Sequence, residues 1–479
     1  MSLQDRKPFS VNAEDVPLRE PLRQWVLRVP TRGLPRGVPG VKEEDVMGTG
    51  YIVSKTAQVY KASNGATRET ILIFGDEVET DGAVKNGRVE VKFRDKTGHV
   101  SKNDVGKKPA LEIYFIDVGQ GDATFIVTPK RRKILIDGGI DKRAFGFLSW
   151  KYRLDQAGPP IDIDLLVLSH ADADHIDGLV PIISHPRIKV HKVVHNGIAT
   201  YNDPALKTGL GDLDASKKLL ITRHDDIGGL AGASLSSSYD AWRNAIVNEN
   251  TAYSAVDSTT GTLDVGDPDV KLSVLGPRLS SYAGKPAYRW FKEEPKTING
   301  HSVVLRLDYD RVSAIFTGDI NTEGAKNLME DGAITSKLTS HIFKAPHHGS
   351  HDFHWPLLEA INPQVSVISS GDDPDHGHPR ASFLGAVGRA SRSAEPLVFS
   401  TEIAATFKEV GVPARSIPAG DLRDVDVAQP DSSARARLLF KKVLNGMINV
   451  RSDGKDLYAA RRVKASYMWE SYGPLHASP

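Results

Sequence analysis

The stretch at 165–178, LLVLSHADADHIDG, constrains the chain more than any other. Leu165, Leu166, Val167 and Leu168 form an apolar run of strand length. The run stops at Ser169, and the next six residues carry His170, Asp172, Asp174 and His175. Residues 176–183 read as the first turns of a helix. The four polar side chains therefore sit on a tight loop at the carboxyl end of a buried strand, where open α/β folds place their chemistry. Imidazole and carboxylate are ligands for zinc, manganese or iron. Alternation along an extended loop turns His170 and Asp172 to one side and leaves Asp174 and His175 facing elsewhere, as a second metal would need. The alternative is a polar turn with an Asp helix cap. Four potential ligands in six residues after an apolar strand favour the metal.

The rest of the composition narrows the chemistry. Cysteine is absent from the 479 residues, so disulfides, thiolate metal sites and cysteine nucleophiles are excluded. Any metal must be held by His, Asp, Glu or Asn. The 61 basic and 60 acidic residues leave a formal charge of +1, so no global basic field advertises nucleic acid, and a polyanion contact would be local. No apolar run reaches the roughly 18 residues of a membrane span, and the first residues, MSLQDRKPFSVNAED, hold no apolar signal segment. The expectation is a cytoplasmic protein with no membrane contact.

Three regions follow from patterning. Residues 1–47, rich in Pro, Arg and acidic side chains, read as an extended arm. Residues 48–106 alternate in short runs at 50–53, 58–62, 70–74, 77–80, 87–93 and 98–101, separated by Gly- and Asn-containing turns, which suggests a small β-barrel. Residues 107–479 carry the larger domain. Strands are expected at 111–118, 123–128, 133–136, 190–194, 270–275, 302–307, 312–316, 340–344, 365–369, 397–400, 447–451 and 457–460. Helices are expected at 141–156, 321–329, 382–390 and 432–444. The looser stretch 196–266 reads as an insertion or lid, with helix candidates at 215–220 and 239–248. Asp319 directly follows a buried strand in Thr317-Gly318-Asp319 and could bridge two metals; His347 and His348, between Pro346 and Gly349 at another strand end, are further ligand candidates. Asp117, Asp122 and Asp137 read as residues that orient a ligand rather than bind metal. His351, His354 and His376 read as surface residues.

Seven motifs in order carry a resemblance: FIDVGQGDA (115–123), ILIDGG (134–139), SHADADHIDG (169–178), NGHSVVLRL (299–307), FTGDI (316–320), KAPHHGS (344–350) and GHP (377–379). Together with NGMINVRSDG near the end, they resemble the metallo-β-lactamase superfamily, and within it the hydrolase domain of ComEC-type DNA-uptake proteins. The resemblance implies an αββα sandwich with metals at one edge of its two sheets. It departs from the superfamily's usual His-x-His-x-Asp-His loop, because Asp172 stands where the second His is common. A further His usually supplied between that loop and the bridging Asp has no clear equivalent, since His195 comes early and His224 lies in the loose stretch. More oxygen ligands shift preference from zinc toward manganese or magnesium. Residues 48–106, with ILIFGDEVET and GRVEVKFRDKTGHVS, resemble bacterial SH3-like domains, although Arg88 and His99 stand at aromatic positions of that pattern.

The resemblance implies an α/β metal-dependent hydrolase, a phosphodiesterase or nuclease, preceded by an SH3-like barrel that would take a protein partner. One or two divalent ions, Zn2+ or Mn2+, would be held by His170, Asp172, Asp174, His175, Asp319, His347 and His348. Asp174 and His378 are the catalytic candidates, with Lys344 and Ser350 binding phosphate of a nucleic acid or nucleotide substrate. The same metal loop would suit a lactone, β-lactam or thioester. A binding protein on a worn-out hydrolase scaffold is the reading from another class.

Overall fold

The computed structural model describes residues 48–371, 377–403, 444–462 and 469–477. The arm read at 1–47, His376 and most of the helix expected at 432–444 lie outside the described residues.

Two mixed sheets stack face to face. The first runs Ala252–Ala255, Lys192–His195, Leu165–Val167, Lys133–Ile136, Thr124–Val127, Leu111–Phe115, Ile448–Ser452, Asp456–Arg462 and Trp469–His476. Its first four strands are parallel and the others antiparallel. The second runs Thr262–Leu263, Val270–Gly276, Val304–Tyr309, Val312–Phe316, Ile342–Lys344, Val365–Ile368 and Leu397–Ser400, parallel from Val312 onward.

Side chains alternate along each strand, and the alternation builds three cores. Leu165 and Val167 point between the sheets with Ile113, Phe115, Leu305, Leu307, Ala314 and Phe316. Leu166 and Leu168 point the other way, toward Leu148 of helix Arg143–Tyr152 and Trp242 and Ile246 of helix Ser237–Asn248. Val304, Ile315 and Phe343 meet Leu328, Leu357 and Phe383, from helices Thr322–Met329, Trp355–Ile361 and Ala381–Arg389, on the outside of the second sheet. Each fully buried Leu, Ile or Phe contributes about 1.5–3 kcal/mol, so the uninterrupted apolar runs of the central strands are what a sheet covered on both faces requires. The result is helix, sheet, sheet, helix.

Residues 48–106 form one sheet of eight short strands around their own core of Ile52, Val59, Val78, Val89, Val91 and Val100. A buried ionic cluster ties it to the sandwich. Arg451, on strand Ile448–Ser452, donates to the Phe74 carbonyl at 2.6 Å and to Asp76 at 2.8 Å. Beside it Glu112 pairs with Arg131 at 2.8 Å and Lys151 at 3.4 Å. Burial works against charge on Glu112, but Lys151, Arg451 and Arg131 overcome it and hold the carboxyl down at about 2.

The structure departs from the sequence reading in several places. Residues 215–220 form a turn followed by the short strand Leu219–Leu220 rather than a helix. The Asp214 carboxylate accepts from the backbone N–H groups of Ser216, Lys218 and Leu219, and Lys217 adopts a left-handed φ of 54°. The helix read at 176–183 is broken into Ala173–Ile176, a 3-10 turn at Asp177–Leu179 and Val180–Ile183. The stretch 196–266 is less of an insertion than its composition suggests. Ser237–Asn248 covers the first sheet, Ala252–Ala255 extends it, and Thr262–Leu263 joins the second.

Removing one member of a buried ion cluster leaves the others uncompensated, a loss of about 3 kcal/mol or more. Arg451→Met is therefore expected to lower the urea midpoint by that equivalent; an unchanged midpoint contradicts a structural role for the cluster.

Candidate metal centre

The parallel halves of both sheets end at the same edge, and the loops leaving them bring distant residues together. Leu165–Val167 delivers His170 through His175, and Val312–Phe316 delivers Asp319. Ile342–Lys344 delivers His348, and the loop after Val365–Ile368 delivers Gly371 and His378. A cavity of about 200 Å³ opens there, lined by Gln120, Gly121, Asp172, Asp174, Asn299, Asp319, His347, His348, Gly371 and His378. No described residue of 196–266 lines it.

Glycines let these loops press together. A Cβ on Gly121 would lie 1.7 Å from the Asp174 carbonyl oxygen, at a φ of 95°. A Cβ on Gly178 would lie 2.0 Å from the Gly138 carbonyl oxygen. Side chains at either position would push the 119–122 loop or the DGG turn off the ligand loop.

The hydrogen bonds fix which way each imidazole faces. Asp137 accepts from the Ser169 backbone N–H and hydroxyl, both at 2.7 Å, and meets His175 Nδ1 at 2.9 Å. His175 Nδ1 therefore donates. His170 Nδ1 lies 3.0 Å from the Ser169 hydroxyl and 3.4 Å from that of Ser302. Those hydroxyls spend their protons on Asp137 and on the Asn299 carbonyl, so His170 Nδ1 also donates. His348 Nδ1 faces the Ser369 carbonyl at 3.1 Å and must donate as well. All three rings thus present Nε2 to the cavity edge, each buried and without a hydrogen-bond partner.

Around these nitrogens stand the carboxylates. Asp319 Oδ2 lies 3.0 Å from His348 Nε2 and 3.3 Å from His175 Nε2. Asp174 lies 3.2 Å from His348 Nε2, and Asp172 lies 3.5 Å from His170 Nε2. The ligand atoms of His170, His175 and Asp319 fall within 4.8 Å of one another, and so do those of Asp174, His175 and His348. Asp319 therefore faces both neighbourhoods, as a bridging carboxylate would. Buried acceptors without donors are costly, and this set fits one or two divalent cations.

Of the adjacent pair, His348 joins the cluster and His347 does not. Both residues have positive φ, 48° and 52°, and the sharp turn sets their rings 74° apart. His347 lines the cavity beside His378, with ring centroids 5.8 Å apart. Two substrate-binding expectations are corrected. Lys344 is buried under the cluster rather than open to substrate; its ammonium pairs with Asp122 and donates to the Gly318 carbonyl at 3.1 Å. The Ser350 hydroxyl accepts from the Asp352 N–H at 3.2 Å, within its own loop and off the cavity wall. Asp122 and Asp137 orient neighbours, as their loop positions suggest. Asn299, which the sequence reading quoted only inside a motif, lies on the wall; its place between the ligand loop and Asp319 was the available signal.

Burial opposes charge on His348, but Asp319 and Asp174 overcome it and raise the ring to about 9; His175 is likewise raised, against burial, by Asp319, Asp137 and Asp174. Without metal these rings carry protons at neutral pH on the nitrogens a cation would take. Metal binding is therefore expected to release protons. Affinity should rise by about tenfold per pH unit for each proton displaced, with the His348 contribution levelling off above about pH 9. Calorimetric titration in buffers of different ionisation enthalpy measures the release, and a pH-independent affinity would contradict the assignment.

A family model described as the metallo-beta-lactamase superfamily matches residues 116–372. ComE operon protein 3 of Bacillus subtilis is 22% identical over 295 residues, 58% of this chain and 31% of that protein. Competence protein ComA of Neisseria gonorrhoeae is 34% identical over 82 residues, 17% of this chain and 12% of that one. The chain thus spans under a third of the length of these two relatives. Among solved structures, Zn2+-bound PqqB from Methylobacterium extorquens is 8% identical, with 56% of this chain and 82% of that one covered at a TM-score of 0.29. No helix among the described residues is long and apolar enough to cross a membrane. The family match covers more than half of the chain and contains every proposed ligand, so the chain belongs to the metallo-β-lactamase superfamily.

Proposed function

We propose that this hydrolase is a metal-dependent phosphodiesterase acting on nucleic acid or a nucleotide. The observation that carries the proposal is the pairing of two kinds of residue in one cavity: a cluster of unpartnered imidazole nitrogens and carboxylates, and two further histidines, His347 and His378, beyond it. A carbonyl hydrolase has less use for that second pair, because its leaving group needs one proton donor at most. The curated relatives are competence proteins, a context compatible with a nucleic acid substrate. Arg143, packed on Gly119 at the rim, and Arg380, beside Gly377, supply local positive charge for a polyanion in a chain of near-zero net charge.

His170, Asp172, Asp174, His175, Asp319 and His348 would hold the metal. Divalent ions there would lower the pKa of a bound water toward about 7 and neutralise charge on the phosphoryl oxygens. Burial disfavours charge on Asp174, but His175 and His348 hold its carboxyl well below the usual range. It therefore stays anionic and orients the attacking water as an acceptor. Burial pushes His347 down, so its ring is neutral at pH 7 and able to donate a hydrogen bond to a phosphoryl oxygen. His378, on the same wall, protonates the leaving oxygen as the phosphorus–oxygen bond breaks.

The test compares bis-p-nitrophenyl phosphate and a short single-stranded oligonucleotide with nitrocefin and a lactone, with Mn2+ or Zn2+ added. Phosphodiester cleavage abolished by chelator is expected. His378→Ala should lower kcat by about 10²- to 10⁴-fold with bound metal unchanged. Turnover of carbonyl substrates alone would reject the phosphodiester reading, and bound metal with no turnover of any substrate would favour a binding protein.

A further inference from the structure

The wall of the cavity holds an amide side chain that no hydrogen bond explains. Asn299 is 8% exposed, and its Oδ1 is buried with no partner. Its backbone carbonyl is engaged, accepting from the Ser302 hydroxyl at 2.8 Å, but its carboxamide makes no hydrogen bond with any described residue. A buried amide left unpaired is costly, so its retention beside a cation-seeking cluster calls for a partner. The partner must supply positive charge or a donor to Oδ1. The other orphaned atoms of the site, His170 Nε2, His175 Nε2, His347 Nδ1, His348 Nε2 and Asp319 Oδ1, make no hydrogen bond to it either.

Three histidines near enough in sequence to complete the His170 side of the cluster sit in other surroundings, although His195 Nε2 and His301 Nδ1 are themselves without a hydrogen-bond partner. His301 lies between Tyr288 and Phe291, with ring centroids 4.7 and 4.9 Å away, and its Nε2 bonds the Arg289 carbonyl at 2.7 Å. His195 accepts the Gly197 N–H at 3.0 Å and packs on Trp242. His224 pairs with the Tyr201 hydroxyl. None of the three lines the cavity.

We infer that Asn299 is a metal ligand, its carboxamide oxygen completing an ion site with His170, Asp172 and Asp319. This site has one nitrogen and three oxygens, whereas the neighbouring set of Asp174, His175, His348 and Asp319 has two imidazoles. The two sites therefore differ in kind. The Asn299 site suits Mn2+ or Mg2+, and the imidazole-rich site is the better one for Zn2+. The local fold supports this placement. Asn299 lies in the last turn of the helix Glu294–Gly300, and Gly300 packs against Gly324, where a Cβ would lie 2.3 Å from the Gly300 carbonyl. That contact fixes the end of the helix against the segment that follows Asp319.

The inference rests on the metal-centre reading and not on the substrate, so the test counts ions rather than turnover. The metal-free full chain is titrated with Mn2+ by calorimetry and bound manganese is followed by electron spin resonance. The wild type is expected to bind two ions. Asn299→Ala should lose one of them, or weaken it by roughly tenfold or more, with the other unchanged. Two ions bound to Asn299→Ala at unaltered affinity would overturn the inference and leave the metal centre standing. No ion bound by the wild type would overturn both. Should Asn299→Ala lose its cooperative melting transition, Asn299→His decides. It is expected to add one directly coordinated nitrogen to the manganese spin-echo spectrum and to move the Zn2+ to Mn2+ affinity ratio at that site by roughly tenfold or more. An unchanged nitrogen count and ratio would overturn the inference.

Discussion

The edge of the sandwich gathers more buried negative charge than the protein itself can balance. Asp122, Asp137, Asp174 and Asp319 approach three imidazoles whose outward nitrogens are all turned inward on one another. The single lysine beneath them, Lys344, is bound to Asp122. Such a cluster persists only if cations, as protons or as metal, occupy it. The rest of the structure is arranged to hold these groups at that spacing against their mutual repulsion.

That arrangement uses the stiffest parts of the fold. Each ligand leaves a strand whose two faces are packed, so its starting point is fixed by cores on both sides. The orienting residues are strand-end groups as well. Asp137 ends the strand next to Leu165–Val167 and holds Ser169 and His175 together. Gly121 and Gly178 bring the neighbouring turns close enough to brace the ligand loop through its backbone. The ionic cluster around Arg451 and Glu112, on the far side of the first sheet, joins the N-terminal sheet to the same strands. With Glu77, which pairs with Arg131 at 2.7 Å, its charges cancel among themselves, which is why it stabilises without demanding a ligand.

Much of this was legible in the chain. The strand-then-ligand units at 165–175 and 312–319 announce themselves because a two-sided strand needs an unbroken apolar run, and a buried strand that ends in His or Asp must place that group at a sheet edge. Asp137 as an orienting group followed from its place after a strand. The exceptions share a cause. Residues 215–220 looked helical by composition, but Asp214 supplied the backbone N–H groups with a closer acceptor. Lys344 looked like a surface cation available to phosphate, and only the stacking of the second sheet on the first places Asp122 above it. Between His347 and His348 composition offers no choice; the left-handed turn makes it.

Which elements form and which residue types end them can be read along the chain, because strand period, turn chemistry and metal-ligand chemistry are local properties. Which lone pairs meet depends on how the segments pack. His170, Asn299, Asp319 and His348 are remote along the chain, and their convergence depends on sheet order, on strand register and on close glycine contacts between loops. Those are properties of packing between segments, which no local pattern encodes.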